Sequence, residues 1–124
     1  MSETITLRDA LAAADNDVDL LKTLIELYFE QLPSLRDAIQ TGLAAHNGEL
    51  VERNAHSLKG AISVFGRHAA REAAHDLENL GRDGNWPAGT PAWEHLQRSL
   101  ADLAIELRSL QHRLAAGELA GTET

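Results

Sequence analysis

Apolar residues recur along most of this chain at steps that alternate between three and four, the period of helices with one buried face. The longest run contains Val18, Leu21, Ile25, Tyr28, Leu32, Leu35 and Ile39. The same alternation predicts a helix over about residues 49–65, a shorter helix over 68–80, and a last helix that runs to about residue 114. Helices therefore account for nearly all of the pattern.

Pro33 lies inside the longest run, where a proline ordinarily ends a helix because it removes a hydrogen bond and clashes with the preceding turn. Leu32 and Leu35 nevertheless keep step with the apolar positions on both sides. We therefore predict one helix over about residues 18–44, kinked near Pro33. Its buried face would be widened by three further leucines, Leu20, Leu24 and Leu27. The alternative is two helices, with Ser34 capping the second.

Polar residues and glycines mark the predicted helix ends. Asp17 and Asn47 are good N-caps for the helices that follow them. Gly66 stands where a left-handed residue ends a helix, and Gly81 is expected to stop the next one. After a glycine-rich loop, Thr90 is predicted to cap the last helix and Pro91 to occupy its first helical position. Trp86, in that loop, is expected to pack over one end of the molecule.

Two long and two shorter amphipathic helices joined by short loops predict an all-α fold, an antiparallel four-helix bundle. A short extra helix, from Leu7 to about Ala14 and capped by Thr6, is expected at the N-terminus. We predict that residues 1–124 form a single domain whose residues 115–124 are a frayed tail. Because the bundle can bury its own apolar faces, we expect a monomer.

Composition narrows the functional classes. The 124-residue chain has a formal net charge of -8, which argues against a general nucleic-acid binder. It contains no cysteine, so disulfides and thiolate chemistry are excluded. No apolar run approaches the ~20 residues that span a bilayer, and the N-terminal residues do not resemble a signal peptide. We therefore expect a cytoplasmic protein that does not bind membranes.

The charges are unevenly distributed along the chain. Residues 53–71 contain none of the 19 acidic residues. The same window contains four cationic residues, Arg53, Lys59, Arg67 and Arg71. Near its centre, His56, Lys59, Gly60 and Ser63 share one side of the predicted helix, since residues three and four apart are surface neighbours. His56 thus has a cation one turn further on, beside a position without a side chain.

This arrangement suits a histidine that carries a phosphoryl group. Imidazole is a nucleophile near neutral pH, and histidine forms covalent intermediates. Lys59 could reach the phosphoryl oxygens, and Gly60 would leave a gap for a partner. Glycine inside a helix costs about 1 kcal/mol relative to alanine, so its presence needs a reason. The alternatives are an ordinary exposed histidine, a solvated lysine, and a glycine at a close helix contact.

A metal site is the competing chemistry. Glu72 and His75 form a Glu-x-x-His pair of the kind that di-iron bundles use, but those bundles need the motif on two helices and it occurs once here. We therefore predict no metal site, and we expect the histidines other than His56 to be solvated surface residues. Metal analysis of the purified protein would test this.

The hexapeptide Ala55–Gly60 resembles the AHxLKG signature of histidine phosphotransfer (HPt) domains, the four-helix relay modules of two-component phosphorelays. Phe65-Gly66 is similar to the hydrophobic–glycine end of the same helix in that family. Leu77-Glu78, with Arg82 and Gly84, resembles the family's LExxxRxG segment. The hexapeptide together with these flanks is fairly specific.

The resemblance, which covers roughly residues 5–114, implies that His56 is the phosphorylated residue. It implies that Lys59 steadies the phosphoryl group and that Gly60 gives a partner room. The implied partners are receiver domains of response regulators and a hybrid sensor histidine kinase. The protein would have no cofactor of its own, because Mg²⁺ sits in the receiver's pocket. It would be a phosphocarrier that passes the group between receivers, without the autonomous turnover of an enzyme.

Docking to the receiver is the remaining expectation. From the cationic window we expect Arg53, Ser63 and Arg67 to help dock an acidic receiver pocket. Apolar residues at the rim of the site, from the first long helix, would supply most of the contact area. The alternative function is an adaptor that docks a receiver or kinase without phosphorylation of His56.

Overall fold

The structure is a computed structural model that describes residues 7–66 and 68–117, and these residues are almost entirely helical. The helices are α1 (Leu7–Ala13), α2 (Val18–Ala45), α3 (Gly48–Ser63), α4 (Ala69–Asp83) and α5 (Gly89–Ala115), with a 3₁₀ turn (Trp86–Ala88) before α5. Helices α2 to α5 form the predicted bundle, and α1 is the short extra helix. The all-α fold class is confirmed. Thr6, the expected cap of α1, and residues 118–124 of the expected tail lie outside the described residues.

The packing order of the bundle places α3 between α2 and α4. The most extensive contact joins α3 to α4, and the next joins α2 to α3. Helix α5 packs mainly on α4 and closes the bundle with a smaller contact to α2. Helix α5 therefore lies diagonally across the bundle from α3. No helix among the described residues is both long and apolar enough to cross a membrane.

Helix α2 is continuous through Pro33, so the one-helix prediction is confirmed and a break at Ser34 is wrong. Pro33 itself is exposed, whereas Tyr28, Leu32 and Ile39 are buried on one face. Tertiary packing of that face stabilises the helix by more than the missing hydrogen bond costs. The kink near Pro33 stays a prediction.

The predicted apolar positions build the core. The fully buried large side chains come from all four bundle helices and, at Phe65, from the turn that follows α3: Leu21, Ile25, Ile39, Val51, Leu58, Ile62, Phe65, Leu77, Leu96, Leu103 and Leu107. The prediction that three leucines widen the buried face of α2 is wrong at two positions, because Leu20 and Leu27 are exposed. These two leucines lie at the solvent-facing edge of the α2 stripe, where α3 leaves them partly uncovered.

The predicted N-caps of α2 and α3 are confirmed. The side-chain oxygens of Asp17 and Asn47 accept hydrogen bonds, each of 3.1 Å, from the backbone N–H groups of Leu20 and Leu50. Each cap satisfies a donor that the first turn of a helix would otherwise leave unpaired. Gly66 has the predicted positive φ, at +106°.

The predicted end of α4 at Gly81 is wrong. The helix continues to Asp83, and Gly84, with φ of +68°, provides the left-handed C-cap. Gly81 instead allows α3 and α4 to approach closely: a Cβ built on it would lie 2.8 Å from the backbone nitrogen of Glu52 and 2.9 Å from the carbonyl oxygen of Gly48. A glycine at a helix contact and a glycine at a helix end look alike in sequence.

The predicted start of α5 is also wrong, because the helix begins at Gly89 and contains Thr90 and Pro91 in its first turn. Ala88 is the N-cap residue and makes no side-chain capping bond. The 3₁₀ turn Trp86–Ala88 runs directly into the helix, so no separate polar cap is needed.

Trp86 packs over one end of the bundle, as expected. Its ring stacks on that of His46, with centroids 4.9 Å apart and an angle of 4° between the planes. Both rings, together with Trp93, line a cavity of about 260 Å³ between the C-terminal end of α2 and the N-terminal end of α5. His46 is the left-handed C-cap of α2.

Candidate functional site

His56 lies in the middle of α3, and its side chain is 66% exposed. Its ring nitrogen Nδ1 lies 2.9 Å from Oε2 of Glu78, on the facing helix α4. An ionised carboxylate only accepts hydrogen bonds, so Nδ1 carries the proton and donates. The neutral ring therefore presents Nε2 as its unprotonated, nucleophilic nitrogen, and no described residue hydrogen-bonds to it.

Glu78 is the buried anion of the site. Its side chain is almost inaccessible to solvent, and Oε1 lies 2.8 Å from Nζ of Lys59. On the other side, Nη2 of Arg82 lies 3.6 Å from Oε2. The interaction with Lys59 and then the hydrogen bond with His56 outweigh burial and lower the pKa of Glu78 to about 2. Glu78 is therefore ionised at neutral pH.

The role of Glu78 was missed from the sequence, where it entered only as part of the family-like segment. The available signal was an acid on the buried face of an alanine-rich helix, one turn after the buried Ala74. A buried acid is rarely left without a cation or a hydrogen-bond donor. Helical periodicity does not identify which residue of another helix supplies that partner.

Lys59 is less exposed than the sequence suggested. Only 18% of its side chain is accessible, and Nζ also lies 3.4 Å from Nδ1 of His75. The alternative of a solvated lysine is therefore wrong. Lys59 shares Glu78 with His56, so the nucleophile and the neighbouring cation are held by the same carboxylate.

The positive charges of the cationic window, residues 53–71, are largely paired with acidic side chains in the folded structure. Arg53 pairs with Glu49 at 2.7 Å, and Arg71 pairs with Glu72 at 2.8 Å. With Lys59 on Glu78, every described cation of the window has an acidic partner from outside it. The window alone is therefore a poor guide to the charge that a partner meets.

Gly60 faces open space beside His56. Apart from Gly60 itself, its two neighbours in the chain and the nearby backbone of α3, no described atom lies within 4 Å of a Cβ built on it. At Gly42, by contrast, such a Cβ would lie 2.8 Å from Cγ2 of Val51. The alternative in which Gly60 serves a close helix contact is therefore wrong, and the predicted gap beside His56 is present.

The expected docking residues differ in their surroundings. Arg53 and Ser63 are exposed on α3, and the Ser63 hydroxyl donates to the carbonyl oxygen of Lys59 at 2.7 Å. The same hydroxyl accepts a hydrogen bond of 2.9 Å from Nε of Arg71. Arg67 lies outside the described residues. A docking role for these residues stays a prediction.

A shallow apolar groove of about 180 Å³ runs between α2 and α3, next to the gap at Gly60. We call it the α2–α3 groove; it is lined by Leu24, Leu27, Tyr28, Gln31, Ala61, Val64 and Phe65. Leu27 is 43% exposed, and Leu20 extends the same stripe of α2 by two turns. The groove is apolar and is partly formed by the first long helix, as expected of the rim of the site, and its contact with a partner stays a prediction.

The other histidines include one that is not on the surface. His68 is buried, its Nδ1 accepts from the backbone N–H of Ala70 at 2.9 Å, and its Nε2 lies 2.8 Å from Oε2 of Glu106. The expectation of a solvated histidine is wrong there, because His68 caps α4 and joins it to α5.

Glu72 and His75 belong to separate contacts, and no three metal-binding side chains gather within the part of the chain that the structure describes.

Comparisons with known proteins bear on this geometry. The sequence matches the family model described as Hpt domain over residues 23–106, more than half of the chain. The structure is similar to that of histidine-containing phosphotransfer protein B (HptB) from Pseudomonas aeruginosa PAO1, with a TM-score of 0.79 and 19% sequence identity. That likeness covers 88% of this chain and 95% of the other, and at such identity it shows a shared fold. The search of curated proteins found no match. The match of the family model to most of this chain shows that the chain belongs to the Hpt domain family, whose members are phosphocarriers of phosphorelays.

Proposed function

We propose that Nε2 of His56 accepts a phosphoryl group from the phosphoaspartate of one receiver domain and passes it to the aspartate of another. The Nε2 lone pair attacks phosphorus, a P–N bond forms, and the P–O bond breaks as the aspartate carboxylate leaves. The second transfer reverses these steps on a different receiver. The supporting observation is the exposed imidazole whose Nδ1 is bonded to an ionised, buried Glu78.

Glu78 would act on the nucleophile in two ways. It holds His56 in the tautomer whose Nε2 lone pair is free. It also lies 2.9 Å from Nδ1, where positive charge develops as the P–N bond forms. A carboxylate that orients an imidazole and stabilises its charged form has the same effect in other histidine nucleophile and base systems.

Lys59 would stabilise the phosphoryl group. The transferred group carries negative charge on three oxygens, and its transfer is favoured mainly by positioning and electrostatics. Lys59 stands one turn from His56, with its Nζ bound to Glu78. In this proposal the ammonium turns from the carboxylate toward the phosphoryl oxygens, while Arg82 remains beside Glu78.

The receiver would approach over Gly60 and rest on the α2–α3 groove. Apolar contact there supplies area, and the rim residues Arg53, Ser63 and Arg67 contribute to orientation and association rate. Mg²⁺ would come with the receiver, as the family resemblance implies, and a hybrid sensor histidine kinase would carry one of the receivers. The protein itself would act as a carrier without autonomous turnover.

The test uses an isolated receiver domain phosphorylated on its aspartate. We expect acid-labile, base-stable label on the wild-type protein and on a His95→Gln control, whose histidine is exposed on α5, but none on His56→Gln. Label that persists on His56→Gln would overturn the assignment. Receiver binding without any label on the wild type would instead support the adaptor function.

A further inference from the structure

Three polar side chains on the outer face of α4 form a chain of contacts that ends at Lys59. Nη1 of Arg82 lies 3.0 Å from Oδ1 of Asn79, and Nδ2 of Asn79 lies 3.3 Å from Nε2 of His75. The other nitrogen of His75, Nδ1, lies 3.4 Å from Nζ of Lys59 and 3.6 Å from Oε1 of Glu78. The proposed function gives these residues no role beyond the contact of Arg82 with Glu78.

The donors and acceptors of this chain fix one tautomer. A guanidinium has no acceptor, so the Asn79 atom that faces Arg82 must be the amide oxygen. The amide nitrogen then faces Nε2 of His75 and can only donate, and the ammonium of Lys59 faces Nδ1 and can only donate, so the two compete for the one acceptor nitrogen of the neutral ring. Lys59 has a second acceptor in Oε1 of Glu78 at 2.8 Å, whereas His75 is the acceptor that the structure places against the Asn79 amide nitrogen. Nε2 of His75 is therefore the unprotonated acceptor. The proton of the neutral ring is therefore on Nδ1.

This tautomer decides what Lys59 can bind. An ammonium group has only donors, so it makes no hydrogen bond to a protonated Nδ1. The nearest acceptor for that N–H is Oε1 of Glu78. In the opposite tautomer, Nδ1 would accept a bond from Lys59, which would then be held by both His75 and Glu78.

We propose that Asn79 and Arg82 are positioning residues that keep His75 in its Nδ1–H tautomer, so that Glu78 is the one side-chain acceptor of Lys59 among the residues that the structure describes. Lys59 then exchanges more readily from the carboxylate to the phosphoryl oxygens of His56. This inference rests on the proposed role of Lys59 in phosphoryl transfer. It concerns a different histidine from the one that is phosphorylated.

The tautomer is measured directly on the unphosphorylated, ¹⁵N-labelled protein by long-range ¹H–¹⁵N correlation, with His75 assigned from a His75→Gln spectrum. We expect a protonated Nδ1 in the wild type. In Asn79→Asp the new carboxylate accepts from both Arg82 and His75, so the proton should move to Nε2. A protonated Nε2 in the wild type, or an unchanged tautomer in Asn79→Asp, would overturn the inference.

The effect on function is measured as the rate of transfer from a phosphorylated isolated receiver. We expect Asn79→Asp to slow transfer by about 3- to 10-fold. Asn85→Asp makes the same change of charge at an exposed loop residue whose side chain makes no capping bond, and it should transfer at the wild-type rate. Equal rates for the two variants, with the tautomer inverted in the first, would refute the positioning role.

Asn79→Leu is a second variant that removes both hydrogen bonds without adding charge. It should release His75 to a mixture of tautomers and slow transfer less than Asn79→Asp; a pure Nδ1–H tautomer would count against the inference. A failure of the proposed function can be distinguished from a failure of this inference. If His56→Gln still takes label, His56 is not the acceptor, whereas the His75 tautomer remains as measured.

Discussion

At the scale of single residues, one buried carboxylate organises the site. Glu78 orients the imidazole of His56 and binds the ammonium of Lys59, while Arg82 lies on its third side. The nucleophile and the cation expected to stabilise the phosphoryl group therefore depend on the same anion. Its loss would release His56 to either tautomer and leave Lys59 half-buried without its partner.

We expect Glu78→Gln to slow phosphoryl transfer by about 10-fold or more, the effect of losing a charged orienting group. We also expect it to lower the free energy of unfolding at pH 7 by on the order of 2 kcal/mol. The pKa of Glu78 falls from 4.5 to about 2 on folding. The stabilisation is therefore fully present above about pH 4.5 and is lost as the pH falls toward 2.

Urea unfolding of the wild type and Glu78→Gln across this pH range measures the effect. The difference between them should be constant near neutrality and shrink below pH 4.5. Glu72→Gln is the matched control on the same helix, because Glu72 is exposed and its ion pair among the described residues is with Arg71. A stability difference that does not change with pH would contradict the ionised, paired state of Glu78.

At the scale of helices, two glycines inside α3 and α4 have opposite surroundings. Gly60 faces open space on α3, whereas Gly81 on α4 lies against the backbone of α3. The first lowers the intrinsic stability of its helix without any packing gain. The second is required for the approach that brings Glu78 within reach of His56 and Lys59.

Alanine at these two positions should therefore have opposite effects on stability. Gly60→Ala should raise the free energy of unfolding by about 0.5 to 1 kcal/mol, because alanine favours the helix and meets no neighbour. Gly81→Ala should lower it by about 1 to 3 kcal/mol, since its methyl group forces α3 and α4 apart. Chemical denaturation of both variants measures the difference, and the same sign at both positions would contradict it.

A larger residue at Gly60 separates folding from docking. Gly60→Leu should fold, because the space around it is open, but it should block transfer from the receiver by filling the gap beside His56. Circular dichroism and the transfer assay measure the two effects independently. Wild-type transfer in this variant would show that the gap is not used.

At the scale of the whole molecule, the large exposed apolar side chains of the described residues lie on two faces. The α2–α3 groove lies on the side of α2 and α3 and Leu20 extends it along α2, whereas Ile105, 70% exposed, lies on α5 across the bundle. Only the first face can be covered by a partner that reaches His56. The two faces therefore offer a controlled comparison of apolar residues.

We expect Leu27→Ser to weaken receiver binding by about 10-fold, the effect of losing the burial of part of a leucine side chain. Ile105→Ser, which removes a more exposed side chain, should leave the affinity unchanged. Calorimetric titration with a receiver that exchanges phosphoryl groups with the protein measures both. Equal loss of affinity in the two variants would place the docking surface elsewhere.

Much of this architecture could be predicted from the sequence, because apolar period and N-caps are local signals. They identified the four bundle helices, the continuity of α2 through Pro33, and the mid-helix positions of His56, Lys59 and Gly60. What could not be predicted depends on contacts between helices. Neither the pairing of Glu78 with His56 nor the close approach at Gly81 has a signature within a single helix.

The two tryptophans of the chain, Trp86 and Trp93, line one cavity at one end of the bundle. Gly48, at the start of α3, lies beside Trp86. His56 is eight residues further along α3, which is about 12 Å along the helix axis from Gly48. The tryptophan fluorescence of the protein therefore originates at this end of the bundle and not at the α2–α3 groove, whose lining contains Tyr28 but no tryptophan. Its emission reports whether the bundle is folded while a separate probe on the α2–α3 groove follows the partner, so that folding and docking can be observed independently in one sample.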